Sequence, residues 1–128
     1  MHTGETAFTA APGVLAVLKE LAPSRIGHGV AAAGSEEALA KLVESGTVLE
    51  ICPSSNLRTR AVSGLAELGT ALRAFERAGV RYTINTDGPY LLNTHLRREY
   101  QLLIESNILS DAEAERSVAV SRAATFIR

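Results

Sequence analysis

Two imidazoles and two carboxylates are the side chains best placed to do chemistry here: His2, Glu5, His28 and Asp87. Imidazole nitrogen with carboxylate oxygen suits Zn²⁺ or a similar divalent ion, and a catalytic site of that kind keeps one position open for water. Water on such an ion loses a proton near neutral pH and becomes a hydroxide nucleophile. A hydrolysis of this sort also needs a proton donor for the substrate, and Glu5, three residues past His2, is the candidate. Each residue alone has a plainer reading. His2 beside Met1 reads as a disordered terminal residue, Glu5 as a solvated acid, His28 between two glycines as a tolerated turn residue, and Asp87-Gly88 as a common turn dipeptide. Cys52 reads as a small buried apolar residue at a strand end. Arg97-Arg98 reads as a solvated helix face, and His95 receives no role.

The conjunction is what favours chemistry. Four polar clusters, His2-Thr3-Gly4-Glu5, Gly27-His28-Gly29, Glu50-Ile51-Cys52-Pro53-Ser54-Ser55-Asn56 and Asn85-Thr86-Asp87-Gly88-Pro89, each fall at the C-terminal end of a predicted strand. That is the edge of a parallel α/β fold where ligands and catalytic groups collect.

The elements that must position these clusters alternate along the chain. Strands are predicted over 25–28, 47–52 and 80–85, the last two rich in β-branched residues and bounded by Gly, Pro or Asp. His2-Thr3-Gly4-Glu5 reads as the end of a fourth strand. Helices are predicted over 13–21, with Val14, Leu15, Val17, Leu18 and Leu21 on one broad face, and over 38–45, after the N-cap Ser35 and the acids Glu36 and Glu37 and up to Gly46. Further helices are predicted over about 65–78, ending at Gly79, and about 94–106. A last one opens with the capping-box spacing of Ser110 and Glu113. A helix leading into each strand argues for βα units around a parallel sheet. Four such units make a small open sheet, or half of an eight-stranded barrel, since a whole one takes about 250 residues.

Composition narrows the function class. In 128 residues, 46% are hydrophobic and 21% charged, an ordinary globular balance. Thirteen Lys and Arg against fourteen Asp and Glu leave a net charge of −1, with no electrostatic footprint for nucleic acid or an acidic membrane. The single cysteine, Cys52, excludes an intramolecular disulfide and any zinc ribbon. No apolar run approaches the roughly 20 residues of a membrane span, and no basic segment leads into an apolar one at the N-terminus, so a cytoplasmic protein is expected. The phosphate-binding GxxxxGK[ST], a GxGxxG after a strand, the GxSxG elbow and the HxE…PCxxC deaminase signature are all absent.

Taken in order, HTGE (2–5), RIGHG (25–29), EICPSSN (50–56) and NTDGP (85–89) resemble the adenosine deaminase family of the amidohydrolase superfamily, and the likeness extends over nearly the whole chain. The resemblance implies a (β/α)₈ barrel with one divalent metal, normally zinc, and hydrolytic removal of an exocyclic amino group as ammonia, a reaction of purine metabolism. It implies His2 and Asp87 as metal ligands and Glu5 as the group that protonates the purine ring nitrogen beside the carbon under attack. His28 would orient and stabilise the metal-bound hydroxide and the tetrahedral intermediate, and Gly4 would let the backbone approach the substrate.

Two departures stand against the family pattern. The His-x-His pair of the family's first strand is missing, so the chain is expected to be one partial domain, residues 1–128, holding strands five to eight of such a barrel and two of its four protein ligands. The family's second Asp, which contacts the purine five-membered ring, is here Gly88. A related adenine nucleoside such as aminodeoxyfutalosine is therefore an alternative substrate. A half-barrel would expose two sheet edges and the apolar interior of its strands, so self-association, or pairing with a missing N-terminal half, is expected, with little activity from this chain alone. The competing readings are a truncated, non-catalytic ligand-binding or oligomerisation module, and an unrelated small open α/β domain.

Overall fold

A computed structural model describes every residue except Ala7, Phe8 and Arg128. Four parallel strands, β1 (His2–Thr3), β2 (Arg25–His28), β3 (Val48–Ile51) and β4 (Tyr82–Ile84), form one sheet in sequence order. The helices are α1 (Ala11–Leu21), α2 (Glu36–Ser45), α3 (Pro53–Arg58), α4 (Leu65–Ala78), α5 (Pro89–Leu92), α6 (Leu96–Glu105) and α7 (Asp111–Ala124), with a 3₁₀ turn over Val30–Gly34. This is the expected parallel α/β architecture.

Helix ends follow local chemistry. The Ser35 hydroxyl accepts the Ala38 N–H at the start of α2. Ser110 and Glu113 form the reciprocal capping box of α7. Pro12 lets α1 begin two residues before its predicted start. Strand β2 spans its predicted range, while β3 is one residue shorter at each end than 47–52 and β4 two and one residues shorter than 80–85.

Register separates the two sheet faces. Ile26, Leu49 and Tyr82 are paired neighbours, as are Ile51 and Ile84, and all five are buried in the core with Val14, Leu18, Leu42, Leu68, Leu72 and Phe75 from the helices. The α4 contribution recurs at helical spacing, Leu68, Ala71, Leu72 and Phe75. The other face carries the row Gly27–Glu50–Thr83. Arg25 bridges to Glu50 at 3.3 Å, and Asn85 donates to the Thr83 hydroxyl at 2.7 Å. The expectation of an exposed apolar interior is thus corrected. Period-two alternation sends the large aliphatics to the helices and leaves polar groups on the open face. The Tyr82 hydroxyl, buried beneath α4, donates to Glu76 at 2.7 Å, and burial with that carboxylate pushes its pKa up. No described helix is long and apolar enough to cross a membrane.

Candidate active site

The C-terminal ends of the strands surround a cleft of about 350 Å³ lined by His2, Gly27, His28, Glu50, Cys52, Asn85, Thr86 and Asp87. His2, His28 and Asp87, which lie far apart in sequence, share it. His2 reaches it from β1. Its ring lies directly over Gly27, where a Cβ would stand 2.3 Å from Cδ2 and 2.8 Å from Nε2. The absent side chain of Gly27 is therefore what gives the His2 imidazole its place.

His28 ends β2 in the left-handed region, φ +64°, an uncommon conformation for a residue with a Cβ. Its side chain is only 2% exposed and packs edge-on against His2, with ring centroids 5.2 Å apart. Both ring nitrogens are engaged. Nε2 lies 3.3 Å from Glu5 Oε2, and Nδ1 lies 3.1 Å from Asn56 Nδ2. Burial lowers the His28 pKa, and the Glu5 and Asp87 carboxylates oppose that by favouring the cation. Glu5 does not itself line the cleft surface but joins the site through His28.

Asp87 follows β4, again with positive φ, +58°. Its Oδ2 accepts the Ser55 hydroxyl at 2.7 Å. Cys52 is buried, and its thiol is pushed up to about 12, first by burial and then by the Asp87 and Glu50 carboxylates. It is an inert lining group rather than a nucleophile, as the sequence suggested.

The two glycines sit differently from the rest. Gly4 has φ +70°, and a Cβ there would be 2.7 Å from Val14 and 2.9 Å from the Gly29 backbone. Packing of the β1 end against α1 and β2 already requires it. Gly88 is the N-cap of α5 with φ −101°, and a Cβ there would meet only Leu91 at 3.8 Å. Neither glycine borders the cleft.

Ser55 and Asn56 belong to one of the four polar clusters, but the sequence gives neither an individual role. They sit on α3, a helix not among those predicted from the sequence. Its signal was present: Pro53 directly after a strand, at the first helical turn. Glu99, fully buried on α6, accepts the Ser54 N–H at 2.9 Å and the Thr94 hydroxyl, and so fixes the start of α3. His95, given no role, is the N-cap of α6 and accepts the Arg98 N–H.

His2 and Asp87 offer one nitrogen and one oxygen donor to the same cleft. Among the described residues no group of three His, Cys, Asp or Glu could hold a metal ion. The donor chemistry fits zinc, as half of a four-coordinate set.

A family model described as adenosine deaminase matches residues 1–127. The chain is 40% identical to an adenine deaminase of Rhizobium etli over 129 residues, covering 99% of this chain and 38% of that protein. It superposes on the crystal structure of an adenine deaminase from Arthrobacter aurescens with a TM-score of 0.86 and 26% identity, again covering 99% of this chain and 38% of the other. An amidohydrolase from Burkholderia ambifaria, solved with bound Zn, superposes with a TM-score of 0.83 at 19% identity, over 99% and 35% of the two chains, a likeness of fold alone. The chain thus spans somewhat over a third of the length of the proteins it matches.

Proposed function

This chain belongs to the adenosine deaminase family, and we propose that the protein carrying it removes the exocyclic amino group of an adenine ring by hydrolysis. One water is consumed. Its oxygen bonds to the ring carbon bearing the amino group, the C–N bond breaks, and the nitrogen leaves as ammonia. The observation that supports this reading best is the convergence of His2, His28 and Asp87 on one cleft at the end of a parallel sheet, with Glu5 against His28.

In this reading His2 and Asp87 supply half of the protein ligands of a zinc ion, and the other half comes from the part of the relatives that this chain does not span. When bound, zinc acidifies water and polarises the reacting centre. The remaining work belongs to the chain's own side chains. Glu5 gives a proton to the ring nitrogen beside the reacting carbon. His28 stands beside Glu5 and hydrogen-bonds the incoming oxygen. Ser55 holds one Asp87 oxygen, leaving the other for the ion. Gly4 lets the end of β1, which carries His2 and leads to Glu5, pack against Val14 and the Gly29 backbone, and Gly88 leaves the position after Asp87 without a carboxylate. The chain corresponds to strands five to eight of the barrel. The substrate is a purine small molecule, adenine or an adenine nucleoside such as adenosine, with aminodeoxyfutalosine as the alternative.

The test is ammonia release by the intact gene product with Zn²⁺ on adenine, adenosine and aminodeoxyfutalosine. Release on at least one is expected. Glu5→Gln should cut kcat by about 10²- to 10⁴-fold with zinc content unchanged. A folded, zinc-loaded protein that releases no ammonia from any of the three would overturn the reading in favour of a non-catalytic binding module.

A further inference from the structure

We propose that Asn56 is a positioning residue that locks His28 as its Nε2–H tautomer, so that the ring presents a hydrogen-bond donor on the side of Glu5, at the edge of the active cleft. The orientation of the Asn56 amide decides this. Its Oδ1 accepts the Cys52 N–H at 3.3 Å, which turns the Nδ2 amino group toward His28 Nδ1 at 3.1 Å. An amide NH₂ has no lone pair to offer, so the facing ring nitrogen must be the acceptor and carry no proton. The ring proton then sits on Nε2, which points at Glu5 Oε2 at 3.3 Å.

The lock is rigid. Asn56 is fully buried, its N–H bonds to the Cys52 carbonyl at 2.8 Å, and its own carbonyl accepts from Val62. Helix α3 is pinned at its start by the Glu99 carboxylate. The neighbouring Ser55 hydroxyl holds Asp87 from the same turn. Two consecutive side chains of one short helix thus orient two groups of the cleft that arrive from different strands.

The catalytic consequence rests on the deaminase reading, whereas the tautomer does not. A ring that donates from Nε2 can stabilise charge growing on the attacking oxygen but cannot take a proton from it.

The test is ¹⁵N NMR of histidine-labelled, zinc-loaded intact gene product at a pH where His28 is neutral, with the resonance assigned by loss in His28→Gln. The wild type should show a protonated Nε2 and an unprotonated Nδ1. Asn56→Asp keeps the shape and the Cys52 bond but turns an acceptor toward Nδ1, so the proton should move there. Asn56→Ala removes the constraint and should give a mixture of tautomers. In both variants kcat should fall about 10- to 100-fold, the range typical of residues that orient site ligands, with KM little changed. A wild-type Nδ1–H tautomer overturns the proposal whether or not either variant folds. So does an unmoved Nε2–H pattern in a folded Asn56→Asp or Asn56→Ala protein. The expected tautomer in a protein that releases no ammonia would remove the deaminase reading and leave the lock standing.

Discussion

Replacing Gly27 by alanine isolates the geometry of His2 without touching a polar group. The new Cβ would stand 2.3 Å from His2 Cδ2, while ordinary contact begins at 3.4 Å, so the imidazole must retreat by about 1.1 Å. Metal–ligand distances tolerate about 0.2 Å, and a misplacement of about 1 Å in a catalytic group costs about 10²-fold in rate. The zinc content at limiting metal and kcat/KM for ammonia release should therefore both fall, the latter about 100-fold. The fold should not suffer. Gly27 is outside the left-handed region, and the three atoms nearest its Cβ would all belong to the His2 side chain. Alanine also restricts the unfolded chain, so unfolding free energy should stay within about 1 kcal/mol of wild type. In a His2→Ala background the same change should cost no further activity, a coupling that a double-mutant cycle reads directly. Wild-type kcat/KM and zinc content in Gly27→Ala would refute the placement of His2.

Gly88→Asp should fold and melt like the wild type, because the position has an ordinary backbone conformation and open space beyond Leu91; a changed ratio of kcat/KM between adenine and adenosine is the expected result, and an unchanged ratio would remove Gly88 from substrate recognition. Acid stability should depend on Glu113. Its carboxyl is held at about 2, by the Ser110 backbone N–H first, then by the Ser110 hydroxyl and Arg73, against an ordinary 4.5. The native state therefore binds fewer protons than the unfolded one between those values, and the contribution is present above about pH 4.5 and lost as pH falls toward 2. Glu113→Gln should flatten that part of a urea-denaturation series in pH.

Much of this architecture is written locally. Ser35, Gly46, Gly79 and the Ser110–Glu113 pair mark helix ends through bonds that span only a few residues, so they can be read in the chain. The polar clusters at strand ends are legible for the same reason: apolar alternation stops where they begin. The clamps behind the cleft are different. Glu99 reaches Ser54 across 45 positions and Ser55 reaches Asp87 across 32, and nothing local distinguishes them from surface Ser and Glu. The six-residue α3 was hidden because it is too short to show periodicity. The polar character of the open sheet face was obscured because Arg25 and Glu50 look like strand-end charges until the register, which sets Glu50 opposite Gly27, brings it within ion-pair reach of Arg25.

The left-handed backbone at His28 and Asp87 has a bearing on how such a protein responds to selection. Each strained residue costs on the order of 1–3 kcal/mol, a cost that glycine would relieve. In the deaminase reading, heat tolerance and chemistry therefore pull these two positions in opposite directions. A library sorted only for survival at high temperature would drift toward glycine or asparagine there, and the cleft would be erased before the core was touched. Hardening this fold while keeping its chemistry means working among the helices, at the far side of the sheet from both residues.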